Sequence, residues 1–143
     1  MINTTYHDKT IILFSKNLVL GFLCWLFPFA ISFLFYEPGG TLLVSYATFK
    51  SIITVVGVIT GCYLLFRYFN SIKTDFITNG IIVGFSWFAI NILLDCLVLI
   101  PMMKISFTDY FMSIGLCYIA IPVISITFGF LVGKQETIIT TIL

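Results

Sequence analysis

The chain has 143 residues, of which 60% are hydrophobic and only 9% are charged, and its formal net charge is +1. Soluble domains carry about a quarter charged residues, so this composition excludes a water-soluble globular protein. The near-zero net charge argues against a nucleic-acid partner, and no basic cluster marks a site for anionic lipid. We therefore predict an all-α integral membrane protein that is embedded in the lipid bilayer. The predicted architecture is a four-helix bundle that forms one domain over residues 1–143.

Four long apolar stretches predict the membrane spans. In chain order they cover residues 12–36, 51–69, 76–100 and 110–133. Each is close to the ~20 residues that a helix needs to cross a bilayer. Pro28 and Pro122 lie inside the first and fourth spans, so kinks are expected there.

Polar residues at the ends of these spans predict helix caps. Thr74 and Asp75 precede the third span and are expected to cap its first turn. Ser106 and Asp109 have the spacing of a capping box in front of the fourth span.

The lysines and arginines are distributed unevenly between the two sides of the predicted bundle. Five lie on one side and two on the other: Lys9, Lys16, Arg67, Lys73 and Lys134 against Lys50 and Lys104. Because positively charged residues favour the cytoplasmic side, both termini and the second loop are predicted to be cytoplasmic. The expected location is the plasma (inner) membrane.

Each predicted helix has one face of small or polar residues and one bulky face. On the third helix, Gly80, Gly84, Trp87, Asn91 and Asp95 fall within an arc of roughly 80° at 100° per residue. Small residues allow membrane helices to approach closely. Pairs of glycines with G-x-x-x-G spacing lie on three of these faces, and they are Gly57 with Gly61, Gly80 with Gly84, and Gly129 with Gly133. They predict tight helix packing, either within the chain or between subunits.

Asp95 is the residue with the clearest functional signal, because it lies inside the third apolar stretch. An aspartate near the centre of a membrane helix costs roughly 2.5–3.5 kcal/mol on insertion scales. On one interpretation Asp95 binds a cation or exchanges a proton in a cavity. Asn91 and Tyr118 would then coordinate the ion or gate its access, and Trp87 would form a wall or a cation–π face. On the other, Asp95 is a structural hydrogen-bond hub paired with Tyr118, Lys50 or the backbone.

The sequence lacks the residue patterns that redox, hydrolytic, phosphate-binding or metal sites require. The four cysteines, which are Cys24, Cys62, Cys96 and Cys117, form no C-x-x-C pair, and the single histidine is His7. No catalytic triad or phosphate-binding loop can be assembled. We predict no enzyme activity, no cofactor and no metal site.

The leading functional hypothesis is a small transporter or channel, linked to a cation or to protons, that uses Asp95. It is expected to be a homo-oligomer, because so short a chain offers little room for a pathway inside one protomer. Two alternatives remain. One is a non-catalytic accessory or assembly subunit of a larger membrane complex. The other is a receptor for a small apolar ligand held within the bundle.

Overall fold

In the computed structural model the chain is helical almost throughout, which confirms the all-α prediction. The structure describes residues 2–142, and the side chains of residues 12–136 and 138; His7 and Lys9 lie outside the described side chains. The first helix, α1, is Ile2–Ser32 and ends in a 3₁₀ turn, Phe33–Phe35. Helix α2 is Tyr46–Phe69, and α3 is Phe76–Leu94.

The second half of the chain is less regular than the first. Helix α3 continues through a π-helical segment, Asp95–Leu99, into a last α-helical turn, Ile100–Met103. A short helix, α4, follows at Phe107–Ser113. A 3₁₀ segment, Gly115–Ile119, then leads into α5, Ala120–Ile142.

Four helical stretches are long and apolar enough to cross a membrane, and they point to a membrane location. They are Ile12–Phe35, Tyr46–Phe69, Phe76–Met103 and Gly115–Glu136. The second begins earlier than residue 51, because the Ser45 hydroxyl accepts a hydrogen bond from the Thr48 amide and starts the helix there. The fourth begins later than residue 110, because the chain leaves the α conformation at Ile114.

One of the two predicted caps is confirmed and the other is wrong. The Ser106 hydroxyl accepts from the Asp109 amide at 3.1 Å and donates to the Asp109 carboxylate at 2.7 Å. Before α3, by contrast, Asp75 adopts the left-handed conformation with φ 56° and makes no side-chain cap. Asn79 stabilises this turn instead, because its side-chain amide donates to the Asp75 carbonyl at 3.1 Å.

The four spans form a closed ring in which α1 contacts α2 and α3, and α5 contacts α3 and α2. The most extensive contact is between α3 and α5. Most of the buried apolar core lies toward the end of the bundle where α2 ends and α3 begins, and it includes Leu64, Leu65, Tyr68, Phe69, Phe76 and Val83.

Three of the predicted packing glycines are in close contact within the chain. A Cβ on Gly84 would lie 2.7 Å from the Pro122 Cα, and one on Gly129 would lie 2.5 Å from the Phe76 carbonyl oxygen. A Cβ on Gly80 would meet the Ser125 carbonyl oxygen at 2.8 Å. The sequence left open which surfaces these glycines join, and here they join α3 to α5.

The remaining three glycines are less crowded. A Cβ on Gly57 would lie 3.7 Å from Pro28, one on Gly61 would lie 3.6 Å from the Cys24 sulfur, and one on Gly133 would lie 3.7 Å from Phe76. These are ordinary van der Waals distances. Glycine pairs with G-x-x-x-G spacing therefore lie on two kinds of surface. On one the backbones of two helices are in contact, and on the other there is space for an added methyl group.

Candidate functional site: a buried carboxylate beside a cavity

Asp95 is 2% exposed, and both oxygens of its carboxylate accept hydrogen bonds. The Trp25 indole N–H donates to Oδ1 at 2.7 Å. The hydroxyls of Tyr110 and Tyr118 donate to Oδ2 at 2.8 and 2.7 Å. Three aromatic side chains from three different segments therefore converge on one carboxylate.

The alignment of α1 with α3 brings Trp25 to Asp95. The two helices run in the same direction, and the hydrogen bonds from Trp87 to Asn17 and from Trp25 to Asp95 both join residues 70 apart in the sequence. A single register between the helices therefore satisfies both pairs. Two turns along α1, between Asn17 and Trp25, correspond to the same advance along α3.

Irregular helix geometry surrounds the carboxylate on the other side. Asp95 is the first residue of the π-helical segment, and Tyr118 lies in the 3₁₀ segment before α5. Tyr110 belongs to the short helix α4. Segments of π helix inside α-helices occur frequently at functional sites. Here the departures from α geometry coincide with the one acidic residue buried within the described bundle.

All three donors to Asp95 are electrically neutral. They donate one hydrogen bond to Oδ1 and two to Oδ2, but they bring no positive charge to balance the carboxylate. Lys50, which the sequence offered as a partner, lies along the same cavity wall but is not among the donors. The prediction of Tyr118 as a partner agrees with the structure.

A cavity of about 170 Å³ lies beside Asp95, between the four spans. Its wall includes all four residues that the sequence analysis proposed as a site, and these are Trp87, Asn91, Asp95 and Tyr118. Lys50 and the aromatic residues Tyr36 and Tyr46 line the end near the first loop. Most of the remaining lining is apolar, so Asp95 faces a largely apolar space.

Asn91 and Trp87 are placed differently from one another. The Asn91 side-chain amide donates to the Trp87 carbonyl at 2.8 Å. Trp87 is fully buried, and its indole N–H donates to the Asn17 side-chain oxygen at 2.8 Å. Trp87 therefore joins α1 to α3 through its indole N–H, and its ring lies on the cavity wall, where the sequence analysis placed it.

Sequence reasoning missed Trp25 and Tyr110. Trp25 follows Gly21 by four residues and precedes Pro28 by three, so the helical period places it on the small-residue face of α1. Tyr110 stands at the predicted start of the fourth span, and only the fold of α4 over the bundle shows that it is fully buried.

Aromatic side chains continue from Trp25 along the cavity. The Trp25 and Phe29 rings are stacked with centroids 4.5 Å apart, and Phe33 meets Phe29 edge to face at 5.0 Å. All three line the cavity, as does Phe49. Asp95 therefore lies at one end of an aromatic surface on α1.

Comparison with protein-family models, with curated proteins and with solved structures finds no match for this chain.

Proposed function

We propose that this membrane protein binds and translocates a small cation, and that Asp95 is the binding group. The observation that carries the proposal is a buried carboxylate with three neutral donors that faces an apolar cavity. Charged groups buried in membrane helices are expensive and by default functional. A cation in the cavity would offset that cost, and three neutral donors would hold the carboxylate in position for it.

The position of Asp95 along α3 supports access from one side of the membrane. Asp95 lies about 12 Å from the Met103 end of its span at 1.5 Å per residue. The cavity is lined at that end by Tyr36, Tyr46 and Met102. With the termini in the cytoplasm, as the charge distribution predicts, the ligand would enter from the outer side of the plasma membrane.

The opposite end of the bundle supports an occluded arrangement. Leu65 and Trp87, which are 1% and 0% exposed, lie at the cavity's inner boundary. Beyond them α3 and α5 are in backbone contact at Gly80 and Gly129. Translocation would require this inner half to open, so the proposed mechanism is alternating access around Asp95 rather than a continuous pore.

A homo-oligomer remains part of the proposal, but the cavity gives it a different role. The cavity is formed by the spans of one protomer, so a pathway does not need a subunit interface. Exposed apolar residues on every span, such as Phe22, Ile59, Phe85 and Phe130, would contact lipid or other copies of the chain. We propose no enzymatic step and no cofactor.

The test is flux through proteoliposomes that contain the purified protein. Wild type is compared with Asp95→Asn for H⁺, Na⁺, K⁺, divalent ions and small organic cations. Asp75→Asn is the matched control, because Asp75 lies outside the cavity wall and asparagine tolerates its left-handed backbone. We expect flux that Asp95→Asn abolishes and Asp75→Asn preserves.

Absence of any flux in the wild type, together with a stoichiometric partner that co-purifies in mild detergent, would instead favour the accessory-subunit hypothesis. A neutral lipid or pigment that co-purifies with the protein and is retained by Asp95→Asn would favour the receptor for an apolar ligand.

A further inference from the structure

We propose that the cation bound at Asp95 is an organic monocation with an apolar body, of the class of substituted ammonium ions, rather than a bare metal ion. This inference rests on the proposed cation site and specifies its ligand. It is carried by the composition of the cavity wall, where one carboxylate stands among mostly aromatic and aliphatic side chains, and where the cationic Lys50 lies at the end near the first loop.

A bare metal ion is poorly served by this wall. Hard cations such as Ca²⁺ take about 6–8 oxygen ligands, and Mg²⁺ requires near-octahedral coordination. Asp95 is the only acidic residue in the cavity lining, and the described residues contain no group of three potential metal-binding side chains. Both carboxylate oxygens already accept hydrogen bonds, and the other side-chain oxygens of the wall, such as those of Asn91, Ser32 and Thr54, carry no charge.

The aromatic surface favours an organic cation. Faces of tryptophan, tyrosine and phenylalanine attract ammonium groups, and aromatic cages recognise quaternary ammonium ligands. Trp25 donates to the carboxylate and stacks on Phe29, so a cation near Asp95 would lie beside this pair. The apolar part of the ligand would then contact Phe33 or Phe49 along the cavity.

The size of the cavity sets the scale of the ligand. One water molecule needs roughly 10–15 Å³ measured in this way. A cavity of about 170 Å³ therefore exceeds what one desolvated ion requires. It has room for a ligand on the order of ten non-hydrogen atoms, such as an ammonium group attached to one aromatic ring.

The experiment measures binding of radiolabelled benzyltrimethylammonium to the protein in lipid nanodiscs. Competitors are tetramethylammonium, which has the charge without the ring, and neopentylbenzene, which has the same shape without the charge. We expect saturable binding, competition by tetramethylammonium at least about tenfold weaker because it buries less apolar area, and no competition by neopentylbenzene.

Binding to three variants tests whether the ligand occupies the cavity beside Asp95. Asp95→Asn is expected to weaken binding by at least about tenfold through loss of the counter-charge. Phe29→Leu is expected to weaken it by about fivefold, since it removes the aromatic face and keeps most of the volume. Phe85→Leu is the matched control, because Phe85 is 58% exposed and lies outside the cavity wall. It should bind as wild type does.

A second measurement guards against misfolding of the Asp95 variant. Asparagine can still accept from Trp25, and the tyrosine hydroxyls can accept from its amide, so the fold should be retained. Elution as a single species and an unchanged near-ultraviolet circular dichroism spectrum check this. In addition, ligand binding should alter tryptophan fluorescence in the wild type, and Trp25→Phe should remove most of that change, because Trp25 lies against Asp95 whereas Trp87 lies at the inner boundary of the cavity.

The possible failures are distinguishable. Equal competition by neopentylbenzene, or undiminished binding by Asp95→Asn, would overturn the organic cation as ligand. Flux of Na⁺, K⁺ or H⁺ that depends on Asp95, with no benzyltrimethylammonium binding, would overturn this inference and leave the proposed function standing. No binding and no flux of any cation would overturn both.

Discussion

The two ends of the bundle are built differently. At the end where α2 terminates, the helices are packed closely, and all the buried residues of α2 lie there: Leu64, Leu65, Tyr68 and Phe69. At the other end, α2 contributes Tyr46, Phe49 and Lys50 to a cavity wall. One helix is therefore held in the bundle by its last turns and stands away from it at its beginning.

The difference reflects how helices associate in lipid. Apolar side chains gain little by leaving lipid for protein, so close contact depends on small residues and on hydrogen bonds. The small residues at the closely packed end are Gly80, Gly84 and Gly129. The hydrogen bonds around Asp95 come from Trp25, Tyr110 and Tyr118. Directed hydrogen bonds hold helices together without filling the space beside them.

The largest effect is expected from adding a methyl group where α3 and α5 are in backbone contact. Gly84→Ala should lower the free energy of unfolding by about 3 kcal/mol, because its Cβ would lie 2.7 Å from the Pro122 Cα and backbone must move. Gly57→Ala at the cavity is the matched control. It should change stability by less than about 1 kcal/mol, in the stabilising direction, since alanine favours helix. Unfolding in mixed detergent micelles measures both, and equal losses would contradict the division of the bundle into two ends.

A smaller effect is expected at the junction between α1 and α3. Asn17→Ala removes the hydrogen bond from Asn17 to Ser86 at 2.8 Å and the side-chain acceptor of the Trp87 indole at 2.8 Å, and it leaves that indole the Asn17 backbone carbonyl at 3.0 Å. The expected loss is about 1.5 kcal/mol, given the modest strength of hydrogen bonds in membranes. A change in Trp87 fluorescence should accompany it. Asn70→Ala at the exposed end of α2 should be neutral; a similar loss there would remove the register argument.

Ser125→Ala tests the polar contribution to the closely packed end. The Ser125 hydroxyl donates to the Gly80 carbonyl at 2.8 Å across the α3–α5 contact. Its loss should lower stability by about 0.6–1 kcal/mol. Ser51→Ala is the comparison, since that hydroxyl donates within its own helix to Ala47. If the two variants were equally stable, close packing alone would account for this contact.

The last expected effect concerns ligand affinity rather than stability. Lys50 shares the cavity wall with Asp95, so it repels a bound cation. Lys50→Gln should strengthen benzyltrimethylammonium binding by about fivefold, roughly 1 kcal/mol at the effective dielectric constant of a partly hydrated site. Lys104→Gln, in the exposed third loop, should leave affinity unchanged. Weaker binding in Lys50→Gln would show that Lys50 supports the ligand rather than opposing it.

The sequence by itself determined the membrane location, the all-helical class and the polar face of α3. These follow from local quantities, since hydrophobicity is a sum over neighbouring residues and a helix repeats every 3.6 residues. Winding α3 as an ideal helix was therefore enough to put Asn91 and Asp95 on one face, and the cavity lies on that face.

Only the tertiary structure decided what Asp95 meets. Trp25 lies 70 residues away and reaches Asp95 through the register of α1 on α3. Tyr110 reaches Asp95 because it lies in the short helix α4, which a 3₁₀ segment separates from α5. The same holds for the glycines, whose spacing is identical at Gly57 and at Gly80 although only Gly80 is in backbone contact. Periodicity assigns a residue to a face of its own helix, whereas its partner depends on how helices distant in sequence are placed against one another.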